Sequence, residues 1–571
     1  MLGWPYEFVT LTEDEKVHRR HAIEHNASVA FWSAFAPAVT ALLLRVVARV
    51  YRRWRSGQYR EVPGSPALKA QRQGWAVRVA ERWRRMAWWM GEDVCFAGAH
   101  WGHREEWVVG LGWTLWLLFL CVRGTGKDYL HLTKRFGAIA TSQLPIQYFL
   151  ALKYLSPFGY FFRTSHEDLN RWHRALGRII YLLLVLHAVF YNVFFIMSSI
   201  WLKRFFAPVV FAGVVAFACL HTLNGTSMAK MREQSYRVFF VVHLVTAMVV
   251  PPLIFFHAPS MRIYVSLAIG FLLLDLAVRK MTTIQAPSVV ESIPGTDLLK
   301  ITSKMPANKI IKFKARPGAH LYLSLPPSSR PVPNDPYAKG NFLFEFMYNP
   351  FTVVSADEDS GHLTFVARKR TGPMTTRLAE FVGAGIPEDP ETQIPLCIEG
   401  PYGALSKTFS DLVDTGVSRI LLVAGGVGAT FAVPIYHALL AESPAASIQF
   451  VWAIRSPGDA TWVPPKPAGK SLIDDDQVQL FLTGDMGVSH PRNETIASVE
   501  MSNLRRSPVG QNHKRPNFQK LVDDTFKSGA DETVAVLVCG PVEMGRELRR
   551  CITPWVMKGR SVWWHNESFG W

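Results

Sequence analysis

The sequence predicts a multi-domain membrane protein: a helical transmembrane half, then a small antiparallel β-barrel, then an α/β domain built on a parallel sheet. Three observations predict it. Long apolar runs crowd the first half of the 571-residue chain and stop near Lys280. Short β-like runs broken by Pro and Gly turns follow, and beyond residue 415 apolar strands alternate with helical stretches. Within the apolar half, histidines recur at a spacing of fourteen residues, in two separate runs.

Seven runs, at 27–49, 107–122, 136–162, 175–198, 205–222, 238–257 and 261–278, are candidate spans, because about 20 apolar residues cross a hydrocarbon core of about 30 Å. The second is short and contains glycine. The first follows a charged, histidine-rich segment and precedes arginines, which favours an anchored helix over a cleaved leader. Net charge is +17. The basic residues crowd loops beside the spans, so membrane topology explains them and nucleic acid is not needed as a partner.

The basic segment 51–104 is placed in the cytosol. Seven spans then leave the N-terminus outside and the C-terminal half inside. Loops 163–174 and 223–237 agree; loop 123–135, with Arg123, Lys127, Lys134 and Arg135, does not. The sequon Asn26-Ala27-Ser28 falls outside, as a glycosylation site. His18, His21 and His25 read as part of a solvated charged segment. Six cysteines lack CxxC or zinc spacing, so neither a disulfide framework nor a metal cluster is expected.

His173 and His187 share one apolar run, His243 and His257 another. Fourteen residues make just under four helical turns, so each pair lies on one face with a rise of about 21 Å. Two such helices side by side present two levels of two imidazoles. That layout suits two haems, one above the other, each held by two histidines. Ionisable groups at membrane depth are costly and tend to mark function. A permease or receptor would explain the spans but not this spacing. By the topology, His173 and His243 lie toward the cytosol, His187 and His257 toward the outside.

Residues 286–415 carry the barrel pattern, in runs such as "AHLYLSLP", "FTVVS" and "LTFVARK". Residues 416–571 carry "RILLVAGG", "IQFVWAIRS", "VQLFLTG" and "AVLVCGP", the pattern of a parallel nucleotide-binding sheet. The strand "ILLVA" ends in Gly425-Gly426-Val427-Gly428. Glycines at a strand-to-helix turn let backbone amides approach a pyrophosphate. Arg455-Ser456, after the next strand, is placed to meet a 2′-phosphate, which favours NADPH over NADH. The polar stretch 484–516 is expected to be mobile.

These motifs, in this order, resemble fungal ferric reductases, within the wider group that includes NADPH oxidases. The resemblance covers most of residues 105–571. "RWHRALGR" and "VVHLVTAMVVPPLIFFH" are similar to the family's two haem-helix motifs. "YNPFTVVS" resembles its flavin-contacting motif and assigns Asn349, Pro350, Phe351 and Thr352 to FAD. Asn349 stands where the family has histidine, so that histidine's role does not transfer intact. "TGPMTTRL" resembles the flavin-pyrophosphate segment, with Gly372 and Thr375. "IEGPYG" resembles the flavin–nicotinamide junction, with Gly400 and Gly403. "AGGVGAT", Arg515-Pro516 and "VCGP", with Cys539 and Gly540, resemble the NADPH contacts. "ESFGW" resembles the family ending and puts Trp571 over the flavin ring.

The resemblance implies four domains: 1–104, with the first span and a basic loop; 105–285, the ferric reductase-like haem domain; 286–415, the FAD barrel; and 416–571, the NADPH domain, ferredoxin reductase-like in fold. It implies electron transfer from NADPH through FAD and two haem b groups to an external ferric chelate or siderophore. Cupric ion is a further acceptor, and iron or copper uptake proteins are partners. Cys539 would position the nicotinamide, and Trp571 would stack on the flavin and yield during hydride transfer. The family default is the plasma membrane. A superoxide-forming NADPH oxidase and a reductase of an organic compound remain as alternatives.

Overall fold

The computed structural model describes residues 5–56, 75–96, 99–333, 335, 341, 344–345, 347–383, 393–403, 405–415, 417–463, 472, 475–483, 515–527 and 532–567. They form two compact units, one of the residues up to Arg72 together with Trp89–Lys280, the other of Gln73–Trp88 together with the residues from Met281 on.

The first unit is helical. Helix α1 (Glu13–Ser33) starts with a Thr12/Glu15 capping box and is followed by α2 (Ala36–Ser56). Helix α3 (Trp75–Met90), which up to Trp88 belongs to the second unit, leads to a hairpin of β1 (Asp93–Phe96) and β2 (Ala99–His103) in the first. Then come α4 (Arg104–Val122), α5 (Tyr129–Ser142), α6 (Leu144–Phe149), α7 (His166–Met197), α8 (Pro208–Thr226), α9 (Tyr236–His257) and α10 (Arg262–Thr282). Among the described residues six stretches are long and apolar enough to cross a membrane: Glu13–Val50, Arg104–Val122, His166–Met197, Pro208–Thr226, Tyr236–His257 and Pro259–Thr282. Large apolar side chains such as Leu43, Leu44, Leu111, Ile196 and Leu273 face outward, as lipid contact requires.

The expected span 136–162 is not one helix. Helix α5 stops at Ser142, α6 restarts with Pro145 in its first turn, and Pro157 opens another short helix ending at Phe161. Proline fits a first turn and breaks an interior. The interrupted backbone is satisfied within the protein. Asp275 of α10, 2% exposed, accepts the amides of Tyr154 (3.0 Å) and Leu155 (2.8 Å).

Two further expectations change. Arg135 is not a loop charge but is buried in α5. It donates to the carbonyls of Leu120 (2.8 Å) and Arg123 (2.9 Å), which close the end of α4. It therefore gives no information on sidedness, and the disagreement of loop 123–135 weakens. The sequon fails as a surface site: Asn26 is buried mid-helix in α1, and its amide donates to the Ala22 carbonyl at 2.8 Å. A glycan there would need the helix to unpack.

The second unit joins a barrel and a sheet. The barrel closes in the order β3 (Ile284–Ser292), β4 (Leu298–Lys304), β7 (His362–Arg368), β6 (Asn349–Asp357), β5 (His320–Ser324) and β8 (Ile394–Tyr402), with every pairing antiparallel. Leu299, Ile301, Leu321, Leu323, Phe365 and Leu396 fill it. A short helix, α11 (Pro373–Glu380), follows β7. The parallel sheet runs β11 (Val478–Leu482), β10 (Ser447–Ile454), β9 (Arg419–Gly425), β12 (Val534–Cys539) and β13 (Val562–Glu567). Helices α12 (Ala429–Glu442), α13 (Phe518–Lys527) and α14 (Val542–Met557) accompany it. Strand order therefore reverses between β9 and β12, the topological switch point where doubly wound sheets bind ligands.

Helix α3 has no counterpart in the sequence reading, which took its segment for a basic loop. Its Trp88 belongs to the core of the sheet domain, with Val423, Val451, Phe518, Val536 and Leu548. The Trp88 indole donates to Thr553 Oγ1 at 2.9 Å, and Arg549 donates to the Trp88 carbonyl at 2.8 Å. The Arg549 guanidinium stands 4.2 Å from the Trp88 ring centre and 5.8 Å from that of Trp564.

Candidate functional site

The four histidines meet as the spacing predicts. His173 of α7 and His243 of α9 have ring centres 5.9 Å apart; His187 and His257 have theirs 6.3 Å apart. Metal–imidazole bonds of about 2 Å, plus roughly 1.1 Å from nitrogen to ring centre on each side, require about 6 Å. Each pair is thus spaced to bind one iron from opposite sides.

Orientation is set by the second ring nitrogen. His173 Nδ1 lies 2.9 Å from the Gln147 carbonyl, His187 Nδ1 2.8 Å from that of Thr133, and His257 Nδ1 2.7 Å from that of Val209. An Nδ1–H donated to a carbonyl turns the Nε2 lone pair toward the metal and fixes the ring. His243 Nδ1 is buried without such an acceptor among the described residues. Two glycines make room for His187 and His257. A Cβ on Gly137 would stand 2.6 Å from His187, and one on Gly213 would stand 2.4 Å from His257. Neither glycine was singled out in the sequence, because only helix packing reveals what each one faces.

The residues assigned to flavin lie on β6, on β8 and in the helix that follows β7. Asn349, Pro350, Phe351 and Thr352 open β6 and pair with Leu323, Tyr322, Leu321 and His320 of β5. Thr375 lies in the first turn of α11, where Gly372 is the N-cap. Its hydroxyl accepts from the Arg370 amide at 3.1 Å and shapes the turn. A helix N-terminus with free amides favours a phosphate. Gly400 (φ +144°) and Gly403 (φ +131°) bend the end of β8 against β5, where a Cβ on Gly400 would meet the His320 carbonyl at 3.3 Å. Tyr402 stacks on His320 and donates to Glu399, all three buried.

The nucleotide residues converge on the switch point. Gly425, Gly426 and Gly428 end β9, and Cys539-Gly540 ends β12 beside it. A Cβ on Gly428 would stand 2.2 Å from the Cys539 carbonyl, and one on Gly540 3.1 Å from the Gly425 amide nitrogen. The buried Trp452 of β10 donates its indole N–H to the Gly426 carbonyl at 3.0 Å and fixes the turn. Cys539 is 1% exposed; burial, and then the Glu567 carboxylate, push its thiol well above the usual range. A thiol shifted in that direction is a poorer nucleophile than a free cysteine. Arg455 follows β10, its backbone amide 3.3 Å from Asp459 Oδ2 and its side chain exposed. Arg515 is also exposed.

Arg368 was missed in the sequence. It ends β7 in the barrel, yet its guanidinium lies 3.6 Å from where a Gly426 Cβ would stand, and it pairs with Asp459 at 3.9 Å. Trp571 lies outside the described residues, as does most of 484–516.

A helical unit with two bis-histidine levels, followed by a flavin-type barrel and a doubly wound nucleotide sheet, defines a membrane oxidoreductase. Family models match in the same order: the ferric reductase like transmembrane component over residues 136–254, an FAD-binding domain over 283–406, and the ferric reductase NAD binding domain over 417–553. The chain belongs to the ferric reductase family and is a multi-pass membrane protein with FAD- and NAD-binding domains.

It is 28% identical over 446 residues to a probable metalloreductase AIM14 of Meyerozyma guilliermondii, covering 75% of this chain and 83% of that one. It is 23% identical over 549 residues to ferric/cupric reductase transmembrane component 2 of Schizosaccharomyces pombe, covering 84% and 90%. Among solved structures it is similar to the Amycolatopsis cytochrome P450 reductase GcoB, with 14% identity, a TM-score of 0.31, and 50% and 70% of the two chains covered.

Proposed function

We propose that the protein carries electrons from cytosolic NADPH, by way of FAD and two b-type haems, to a ferric chelate on the far side of the membrane. The observation that carries this reading is the pair of imidazole levels, 5.9 and 6.3 Å between ring centres. When bound, FAD accepts a hydride's two electrons and releases them singly, and haem iron carries one at a time.

The residues hold and orient. Gln147, Thr133 and Val209 carbonyls aim three of the four imidazoles. His173 with His243 would hold one haem and His187 with His257 the other, and the haems would supply one-electron, outer-sphere transfer to the acceptor. The glycine turns at 425–428 and 540 admit a dinucleotide pyrophosphate, and Arg455 supports a 2′-phosphate and so NADPH. Cys539, neutral and buried under the turn, positions the nicotinamide without reacting. A plasma-membrane location, with the C-terminal half in the cytosol, completes the reading.

The test uses sealed vesicles with NADPH on the cytosolic face and a ferric chelate on the other. His187→Ala should lose one haem per chain and stop iron reduction while NADPH still reduces flavin. Undiminished iron reduction would refute the path. Superoxide formed faster than ferrous iron would assign the chain to the oxidases instead.

A further inference from the structure

We infer that the β1–β2 hairpin carries a metal site separate from the haems: Asp93, His100 and His103 bind one divalent cation of the Zn2+ or Cu2+ type. Asp93 Oδ1 lies 3.1 Å from His100 Nε2 and 2.9 Å from His103 Nδ1. One ligand atom from each residue lies within 4.8 Å of the others.

The hairpin's register explains how three residues of such spacing come together. Asp93 pairs with His103, and Cys95 with His100. Two steps along β1 are matched by three along β2, so β2 carries one extra residue. Residues three apart on a regular strand point to opposite faces. The extra residue turns His100 onto the face of His103 and Asp93, and Gly102, at φ +92°, absorbs the bend.

Hydrogen bonding leaves one of these nitrogens unsatisfied. Two imidazole nitrogens approach the same carboxylate oxygen. His103 Nδ1 is buried and makes no hydrogen bond of acceptable geometry among the described residues. A cation placed between the three donors satisfies all of them at once.

The donor set selects the ion. Two imidazoles and one carboxylate suit borderline divalent metals; Ca2+ and Mg2+ want oxygen-only shells, and Cu(I) wants sulfur. Three protein ligands leave a tetrahedral position for water, so the ion can exchange. A two-stranded hairpin is marginal in water by itself, and the cation would staple its strands.

Zinc is the probe, because haem iron does not interfere with its count. The purified full-length, haem-loaded protein is equilibrated with Zn2+, desalted, and its zinc measured by mass spectrometry. The expected result is one zinc per chain, kept in a variant with His18, His21 and His25 changed to alanine. Asp93→Asn, His100→Ala and His103→Ala should each weaken zinc binding by more than about tenfold, since losing a direct ligand costs more than losing an outer-shell partner. The haem spectrum should be unchanged. If a variant fails to fold, X-ray absorption at the zinc edge of the unmutated chain decides, with two imidazoles and oxygen expected. Zinc retained equally by all three variants, zinc lost only from the N-terminal triple variant, no retained zinc, or an imidazole-free spectrum would each overturn the proposal.

Discussion

Replacing Gly137 with alanine puts a methyl group where the His187 ring stands. The added carbon would lie 2.6 Å from both Cε1 and Nδ1 of that ring, whereas ordinary contact begins at 3.4 Å. Either the ring or helix α5 must yield by about 0.8 Å, while metal–ligand bonds hold to within about 0.2 Å. The same shift breaks the Nδ1 bond to the Thr133 carbonyl, now 2.8 Å. Gly213→Ala makes the matching collision with His257, at 2.4 Å. Haem is counted per chain by the pyridine haemochrome assay. Each variant should fall from two haems to one and lose reduction of an external ferric chelate by more than about a hundredfold, roughly 2.7 kcal/mol in rate terms, while flavin reduction by NADPH persists. Gly112→Ala, with nothing within 4 Å, is the control and should keep both haems. Two haems and full iron reduction in Gly137→Ala would refute the reasoning, because the His187 imidazole would not be where the iron needs it.

Three other outcomes are expected. Arg455→Gln should raise KM for NADPH about tenfold and leave NADH nearly unchanged, as loss of a 2′-phosphate contact would; equal effects on both would remove its role. Trp88→Ala should cost the nucleotide domain about 3–5 kcal/mol, a large buried aromatic lost, and lower its melting temperature by several degrees in calorimetry; an unchanged transition would mean that α3 is not part of that core. Cys539 has its folded pKa raised above the ordinary 9.0. Its contribution is complete below that value and is lost as pH rises, because the unfolded thiol ionises first and the unfolded chain then binds fewer protons. Cys539→Ala should therefore flatten the alkaline arm of denaturant stability measured from pH 8 to 11; an arm of unaltered slope would contradict the burial argument.

The two histidine levels were legible because helical geometry turns a sequence interval into a distance: fourteen residues place His173 and His187 on one helix face whatever surrounds them. The barrel and sheet were legible because turn residues and apolar runs mark strands locally. What stayed hidden depends on which element meets which. Gly137 and Gly213 are ordinary helix glycines until an imidazole is packed on them. Arg368 belongs to a barrel strand, and only the fold carries it to Gly426. Asp93, His100 and His103 match no ligand spacing unless a bulge is known. Asn26 sits in a perfect sequon, yet α1 buries it. The span at 136–162 misled because hydropathy measures apolar length and not prolines that break it.

The position of Trp88 bears on how such proteins can diverge. The nucleotide domain is continuous in sequence from residue 417 onward by family matching, and would look like a cassette free to be exchanged between membrane halves. Its hydrophobic core, however, includes a tryptophan encoded more than three hundred residues earlier, clasped by Arg549, Thr553 and Trp564. A recombination event between the two would separate a plug from its socket. The two must then be inherited as a pair, so substitutions at Trp88 and at Arg549 or Trp564 should follow one another across descendants, even though the transmembrane helices lie between them in the chain.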